Sequence, residues 1–310
     1  MEQLNKYKIN KLNNTNKGLY QIQGANLGGS TKKLLFIDAI SDKEYMFKIP
    51  KEDYITGSGY NDHIAEFLGS NIIQYLGYPS QNAFLANYDG IEGVIVEMFE
   101  QELVELSSKV DYFYSMEYRS LDLDKIIGNY KLRSTKNNID IDLFNKFLIK
   151  MLIVDYIIIN IDRHPGNIGF ILNKNNIYEP SPFYDSGASF LTRYFNHDYN
   201  NIVKNHSIIN YKIIKDGKRC KFSDVLESLS ENIGNSDYYK DQIEYIIGNY
   251  NKNKSEIYKI IDTIGLTDNM DSNIIMNIKE LLQFTTSELK TLIINKRQID
   301  PVENIFKWDE

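Results

Sequence analysis

The chain has 310 residues, 42% of them hydrophobic, so it is long enough for one large domain or two lobes with a sizeable core. It carries 35 basic and 42 acidic residues, and this formal net charge of -7 argues against nucleic acid as a direct partner. A single cysteine, Cys220, excludes a disulfide framework and a thiolate zinc cluster.

The sequence shows no pattern for secretion or for a membrane span. Its first twenty residues are rich in Asn and Lys and lack the apolar core of a signal peptide. The most apolar stretch, residues 147–161, is interrupted by Lys150 and Asp155 and is shorter than the roughly 20 residues that cross a bilayer. We therefore expect a cytoplasmic protein in which this stretch forms a buried helix.

The N-terminal third has the pattern of a small sheet and one helix. Short apolar runs between turns predict antiparallel strands over residues 19–50. Residues 62–76 have apolar side chains near a 3.6-residue period, which predicts a helix, and strand patterning returns over 84–99. We expect residues 1–99 to form an N-terminal lobe.

The remainder, residues 100–310, has mainly helical patterns. A helical period over residues 140–160 leads to Asp162, and apolar runs at 168–172 and 181–184 flank a polar turn and predict a hairpin. Further helical patterns follow residue 223. This order predicts an α+β fold with two lobes, a small N-terminal sheet lobe and a larger, mainly helical C-terminal lobe that contains Asp162 and the hairpin.

The strongest chemical signal begins at the end of the predicted long helix. The six residues from Asp162 to Asn167 read Asp-Arg-His-Pro-Gly-Asn, and Asp185 follows in the string Tyr-Asp-Ser-Gly. An Asp five positions before an Asn is the spacing of the catalytic loop of kinases, after which a metal-binding Asp follows. Both Asn167 and Asp185 offer oxygen donors, which suit Mg²⁺.

Upstream residues supply the other parts that phosphoryl transfer needs, in the expected order. Lys48 lies in a predicted strand, and Glu66 on the next helix is its natural ion-pair partner. A glycine-rich loop precedes the strand, and its backbone N–H groups are suited to phosphate. The candidate phosphate-binding residues of this loop are Gly24, Ala25, Gly28, Gly29 and Ser30.

These ordered motifs resemble the HipA-like serine/threonine kinases, most closely the compact CtkA-type members that lack an extra N-terminal subdomain. The resemblance covers residues 24–190. It implies that Asp162 is the catalytic base, that Asn167 and Asp185 bind magnesium, and that Lys48 contacts the phosphates of ATP. ATP is then expected between the lobes.

The resemblance also implies further contacts and partners. The hinge that receives adenine falls at residues 96–98, so Glu97 and Met98 are candidate ATP contacts. His164 is another candidate, with a proton shuttle, the orientation of Asp162 or a structural hydrogen bond as its alternative roles. The expected acceptor is a Ser or Thr hydroxyl of a protein, Ser30 and Thr31 are candidate autophosphorylation sites, and an antitoxin-like regulator is a candidate partner.

Two other readings stay open at this stage. Phosphatidylinositol kinases carry the same Asp-Arg-His-x-x-Asn string, although a basic segment after the metal-binding Asp is usual there, and residues 186–201 contain Arg193 as their one full cation. A non-catalytic, toxin-like ATP-binding module is the second alternative. The presence of all four groups that the chemistry requires argues against it; they are Lys48, Asp162, Asn167 and Asp185.

Overall fold

The computed structural model describes residues 4–12, 19–22, 32–50, 61–106, 120–123, 127–128, 140–160, 162–175, 177–192, 195, 212–215, 218–267 and 270–295. The chain divides into two compact units. The first comprises Met1–Glu100, Pro182–Asn200 and Tyr250–Glu280, and the second comprises Gln101–Ser181, Asn201–Asn249 and Leu281–Glu310. Asp185 therefore belongs to the unit that contains the N-terminal strands, whereas Asp162 and Asn167 belong to the other.

A six-stranded sheet is the main feature of the first unit. Its strands are β1 (Asn10–Leu12), β2 (Leu19–Ile22), β3 (Lys33–Asp38), β4 (Glu44–Lys48), β5 (Ala83–Tyr88) and β6 (Ile91–Glu97). They lie in the order β1-β5-β6-β4-β3-β2, and every pair is antiparallel except β1 with β5. Asp89 and Gly90 join β5 to β6 with φ angles of 50° and 85°, which is the backbone that a tight two-residue hairpin requires.

Successive side chains of strand β4 lie on opposite faces of this sheet. Tyr45 and Phe47 are buried in a core cluster with Phe36, whereas Met46 and Lys48 alternate with them and are half-buried. Gly93 on β6 allows the strands to come close, because a Cβ atom there would lie 2.6 Å from the carbonyl oxygen of Lys48. The sheet thus holds Lys48 on a rigid strand.

Helix α1 (Asp62–Tyr75) packs against β5 and β6. Every residue from His63 to Ile73 is buried, including several polar ones, so this helix has no solvated face along most of its length. Its N-cap residue, Asn61, has φ 52° and makes no side-chain capping bond, but donates from Nδ2 to the carbonyl of Thr192 at 3.4 Å. Buried polar groups on α1 therefore have to be paired within the protein, or they destabilise it.

His63 is one such buried group, and its titration should make folding dependent on pH. Its Nδ1 has no hydrogen-bond partner among the described residues, and burial lowers its pKa from 6.5 to about 4. Between about pH 6.5 and pH 4 the imidazole of His63 is protonated in the unfolded chain but stays neutral in the folded chain. The free energy of unfolding therefore falls as the pH falls from 6.5 towards 4.

We expect His63→Leu to remove this contribution. The free energy of unfolding of the wild type should fall by about 2.5 kcal/mol more than that of the variant between about pH 7.5 and about pH 4.5. Urea titrations at several pH values measure both, and the carboxylates common to the two proteins cancel in the difference. Parallel curves for the two proteins would show that His63 does not titrate as proposed.

The second unit combines helices with two small sheets. Its helix α2 (Ile141–Ile158) begins at Asp140, whose carboxylate accepts from the Asp142 N–H at 2.8 Å, and α3 (Phe222–Asn232) packs on it. One sheet has the order β10-β9-β7 and contains β7 (Leu103–Glu105), β9 (Gly169–Leu172) and β10 (Tyr178–Pro180). The other has the order β12-β11-β8 and contains β8 (Ser120–Asp122), β11 (Lys212–Lys215) and β12 (Lys218–Cys220).

Two long helices complete the chain, α4 (Tyr238–Thr263) and α5 (Ser272–Asn295). Within the second unit, Thr285 of α5 donates its hydroxyl to the carbonyl of Ile157 at 3.1 Å, and the hydroxyl of Tyr156 donates to Glu288 at 2.6 Å. Within the described ranges, no helix combines the length and the apolar character that a membrane span requires. The stretch around Asp155 is a buried helix, as predicted.

The predicted hairpin is present, but its second strand lies earlier than expected. It covers Tyr178–Pro180 rather than residues 181–184. Ser181 donates its N–H to the carbonyl of Gly169 at 2.9 Å, but the next N–H that could continue this ladder, that of Phe183, donates instead to the carbonyl of Pro79 at 2.9 Å. The apolar pattern at residues 183 and 184 instead reflects burial of Phe183 and Tyr184 in the first unit.

Candidate active site

Lys48, Glu66 and Asp185 form one ionic cluster in the first unit. The Nζ atom of Lys48 lies 3.2 Å from Oε2 of Glu66 and 3.5 Å from Oδ1 of Asp185. The Glu66 side chain is 2% exposed and that of Asp185 is 47% exposed. One ammonium group therefore bridges a buried carboxylate and a carboxylate that reaches solvent.

The charges in this cluster depend on each other. Burial opposes the charge of Lys48, but the carboxylates of Glu66 and Asp185 outweigh that effect and raise its pKa, so it stays an ammonium. Burial raises the pKa of Glu66, while Lys48 opposes that shift and Asp185 adds to it. The Oε1 atom of Glu66 is buried and has no hydrogen-bond partner among the described residues. Lys48 is thus the group that makes a buried carboxylate tolerable at this position.

Backbone contacts place Asp185 beside this lysine. Phe183 pairs with Ser80 in a parallel bridge. The N–H of Phe183 donates to the carbonyl of Pro79 at 2.9 Å, and the carbonyl of Phe183 accepts from the N–H of Gln81 at 2.8 Å. Asp185 itself has φ 55°, in the left-handed region that few residues other than glycine adopt. Strained backbone of this kind persists only where the surrounding structure holds it in place, and it is concentrated at functional sites.

The predicted catalytic loop lies in the second unit and is closed by its own hydrogen bonds. Asn167 donates from Nδ2 to the carbonyl of Asp162 at 3.1 Å, which leaves its Oδ1 as the acceptor of the amide. The N–H of Asp162 donates to Oδ1 of Asn160 at 3.2 Å. The Nδ1 atom of His164 accepts from the N–H of Gly166 at 3.1 Å, so the neutral imidazole carries its proton on Nε2.

An ion pair beneath the loop was not predicted from the sequence. Both side chains of the Asp155–Arg163 pair are 1% exposed, and Nε and Nη2 of Arg163 each lie 2.9 Å from a carboxylate oxygen of Asp155. Arg163 also donates from Nη1 to the carbonyl of Asn167 at 2.8 Å, and Asn160 donates to Asp155 at 3.2 Å. Burial raises the pKa of Asp155, and Arg163 opposes the shift. This pair ties helix α2 to both ends of the loop.

A signal for Asp155 did exist in the sequence. It is a lone carboxylate in an otherwise apolar helical run, and a buried charge is rare unless it is paired. Its partner, Arg163, follows eight residues later within the motif itself. The pair was therefore open to prediction from burial alone.

The predicted hinge residues are already used in contacts within the first unit. The carboxylate of Glu97 accepts from Lys43 and, at 3.0 Å, from Asn82. Its carbonyl accepts from Nε2 of Gln81 at 2.9 Å, and the N–H of Met98 donates to the carbonyl of Glu44 at 2.8 Å. A carbonyl has a second lone pair, so the carbonyl of Glu97 can still accept another donor, whereas the N–H of Met98 is committed.

The glycine-rich loop falls outside the described residues. Gly24, Ala25, Gly28, Gly29, Ser30 and Thr31 all belong to that part of the chain. Their contact with phosphate and their phosphorylation therefore stay predictions.

The sequence predicts magnesium binding by Asn167 and Asp185, and each of these residues presents an oxygen donor in its own unit. Over the ranges that the structure describes, no group of three or more His, Cys, Asp or Glu side chains is arranged to hold a metal. Mg²⁺ is usually bound through one or two carboxylates together with substrate phosphates and water. The half-exposed carboxylate of Asp185 and the amide oxygen of Asn167 are donors of this type.

Comparison with known proteins identifies relatives of the chain. No family model matches it. It is 24% identical over 278 residues to the serine/threonine-protein kinase CtkA of Helicobacter pylori, and the match covers 84% of this chain and 80% of that protein. The chain is a homologue of CtkA.

Solved structures agree with this relationship. The crystal structure of the proinflammatory kinase CtkA of Helicobacter pylori matches with a TM-score of 0.64 and 21% identity, over 92% of this chain and 96% of that one. HipA of Shewanella oneidensis, in a complex with HipB and operator DNA, matches with a TM-score of 0.50 and 11% identity, over 87% of this chain and 67% of that one. The predicted α+β fold of kinase type and the resemblance to HipA-like kinases of the CtkA type are confirmed.

Proposed function

We propose that the chain is an ATP- and Mg²⁺-dependent serine/threonine protein kinase of HipA-like type. The observation that carries this proposal is the contact of Lys48 with both Glu66 and Asp185, at 3.2 and 3.5 Å. Kinases use a strand lysine, a helix glutamate and a metal-binding aspartate in these roles. The similarity to CtkA over most of both chains supports the same conclusion.

Each of these residues has a defined task in the proposed reaction. Lys48 contacts the phosphates of ATP, and Glu66 keeps its ammonium in position. Asp185 and Asn167 each offer an oxygen atom that would bind Mg²⁺, and the ion, when bound, would offset the negative charge of the phosphates. The adenine amino group has an acceptor in the carbonyl of Glu97, and His164 is proposed as a further ATP contact.

Transfer itself requires one bond to form and one to break. The hydroxyl oxygen of a Ser or Thr side chain bonds to the γ-phosphorus, and the bond from that phosphorus to the bridging oxygen breaks with its electron pair going to ADP. The hydroxyl proton passes to the carboxylate of Asp162, the position that the catalytic-loop aspartate has in kinases. The Asn167 amide, held at the Asp162 carbonyl, keeps this carboxylate and a metal ligand in one short loop.

Intact-mass measurement after incubation with ATP and Mg²⁺ tests the proposed activity. We expect the chain, or an added protein substrate, to gain the mass of one or more phosphoryl groups, with no gain in EDTA. Phosphopeptide mapping then tests Ser30 and Thr31 as sites of autophosphorylation. ATP binding without transfer to protein would favour the non-catalytic module, and transfer only to phosphatidylinositol vesicles would favour the lipid kinase.

Removing the metal-binding carboxylate should weaken ATP binding only when magnesium is present. We expect Asp185→Ala to reduce the ATP affinity gained from Mg²⁺ by at least about tenfold, which corresponds to ~1.4 kcal/mol. Calorimetric titration of ATP with Mg²⁺ and with EDTA measures this gain. Asp262→Ala is the matched control, because it also removes a carboxylate that pairs with a lysine, Lys279, elsewhere in the first unit. An equal loss in both variants would refute the magnesium role of Asp185.

A further inference from the structure

Helix α1 contains a glycine, Gly69, that lies in close contact with the segment after Asp185. Gly69 lies in the interior of this helix, where glycine destabilises relative to alanine. A Cβ atom at Gly69 would lie 2.5 Å from Cβ of Ser186, 3.0 Å from its Oγ and 3.6 Å from Oγ of Ser189. Carbon atoms in contact are about 3.5–4.0 Å apart, so no other residue fits here without moving one of the two segments.

The contact lies directly beside the ionic cluster. Gly69 follows Glu66 by three positions, one helical turn away on the same face of α1. Ser186 follows Asp185 along the chain. The Gly69–Ser186 contact therefore joins the two segments whose carboxylates share the ammonium of Lys48.

The segment after Asp185 is shaped to lie close against the helix. The N–H of Ser189 donates to the carbonyl of Ser186 at 3.1 Å, and the N–H of Thr192 donates to the carbonyl of Ser189 at 3.3 Å. Of these three residues, Ser186 and Ser189 face α1, because their Oγ atoms lie 3.0 and 3.6 Å from the position of a Cβ atom at Gly69. All three are completely buried, and none of their hydroxyls has a hydrogen-bond partner among the described residues. At Ser186 and Ser189, small size rather than hydrogen bonding is what the helix contact uses.

We propose that Gly69 and Ser186 set the distance of Asp185 from Lys48 and Glu66, so that Gly69 is a positioning residue for magnesium binding. This inference rests on the proposed kinase function. A methyl group at Gly69 must push the Ser186 segment away by about 1 Å to reach normal contact distance. Because Asp185 is the next residue along the chain, its carboxylate moves with that segment.

The variant Gly69→Ala tests this inference. We expect the gain in ATP affinity that Mg²⁺ provides to fall at least about tenfold, the effect that loss of a supporting contact commonly has on metal affinity. Binding of ATP in EDTA should change by less than about twofold, since the bound phosphates then need no Asp185. Calorimetry with and without Mg²⁺ measures both, and thermal unfolding records any separate effect on stability.

A compensating change distinguishes positioning from general damage. Ser186→Gly removes the Cβ atom that a methyl at Gly69 would meet. On a logarithmic scale, the double variant Gly69→Ala/Ser186→Gly should therefore recover at least about half of the Mg²⁺-dependent gain in ATP affinity that Gly69→Ala loses. Gly248→Ala is the matched control, because it adds a methyl to helix α4 where no atom of the described part of the chain lies within 4 Å of the new Cβ. That variant should bind ATP as the wild type does.

Each outcome decides a different point. Should Gly69→Ala fail to fold, Ser186→Gly alone still tests the inference, because Asp185 then loses its support and the magnesium gain should again fall. An unchanged magnesium gain in Gly69→Ala, or in Ser186→Gly, overturns the positioning role, and so does a double variant that recovers nothing. A wild type that gains no ATP affinity from Mg²⁺ overturns the proposed function itself, before any variant is compared.

Discussion

Asp162→Asn is expected to reduce phosphoryl transfer from ATP by about 10²–10⁴-fold, the usual contribution of a positioned base. The amide has nearly the same shape as the carboxylate but cannot accept the proton of the acceptor hydroxyl. ATP binding should stay within about twofold of the wild type, because the phosphate and metal contacts proposed for Lys48, Asp185 and Asn167 are unchanged in this variant. Transfer of labelled phosphate and calorimetric ATP binding measure the two effects separately.

Asp142→Asn is the matched control for this variant. Asp142 is exposed in the first turn of α2, so the same change there removes a carboxylate from the same unit away from the loop. We expect it to leave transfer unchanged. Turnover of Asp162→Asn at the wild-type rate would remove Asp162 from the mechanism, and loss of ATP binding in that variant would point to a structural role instead.

The parts of the site that the sequence predicts best are those with fixed spacing. Asp162 and Asn167 are five positions apart, and the structure joins them through one hydrogen bond at 3.1 Å. Lys48 and Glu66 were expected to pair from their place on a strand and the next helix, and they lie 3.2 Å apart. In both cases the loop, strand or helix that carries a residue determines where its side chain points. Residue type and spacing along the sequence were therefore sufficient to predict that each pair lies close together.

The parts that the sequence did not predict depend on contacts between distant segments. Gly69 resembles any glycine in a helix until Ser186, far along the chain, is found against it. The Asp155–Arg163 pair is the exception, since its two residues are eight positions apart; it was missed because Asp155 was read only as an interruption of an apolar run. The strand placed at residues 181–184 was wrong because the backbone of Phe183 bonds to Pro79 and Gln81, which are distant in the sequence, and not to strand β9.

Asp155→Ala should have the largest effect on stability. It leaves the guanidinium of Arg163, which is 1% exposed, without its carboxylate. An uncompensated charge at a buried site costs about 3–5 kcal/mol in the free energy of unfolding. Transfer should fall as well, because Asn160 loses its contact with Asp155 and the Asp162 N–H bonds to Asn160. Urea unfolding and labelled-phosphate transfer measure the two losses.

The double variant Asp155→Leu/Arg163→Met separates the two roles of this pair. Replacing a buried ion pair by apolar side chains of similar size is often neutral or stabilising, so the free energy of unfolding should return to within about 1 kcal/mol of the wild type. Transfer should not return, since the carbonyl of Asn167 still lacks the Nη1–H of Arg163 that holds it at 2.8 Å. If stability and transfer recover together, the pair only supports the fold. If stability alone recovers, the pair holds the loop in the geometry that transfer requires.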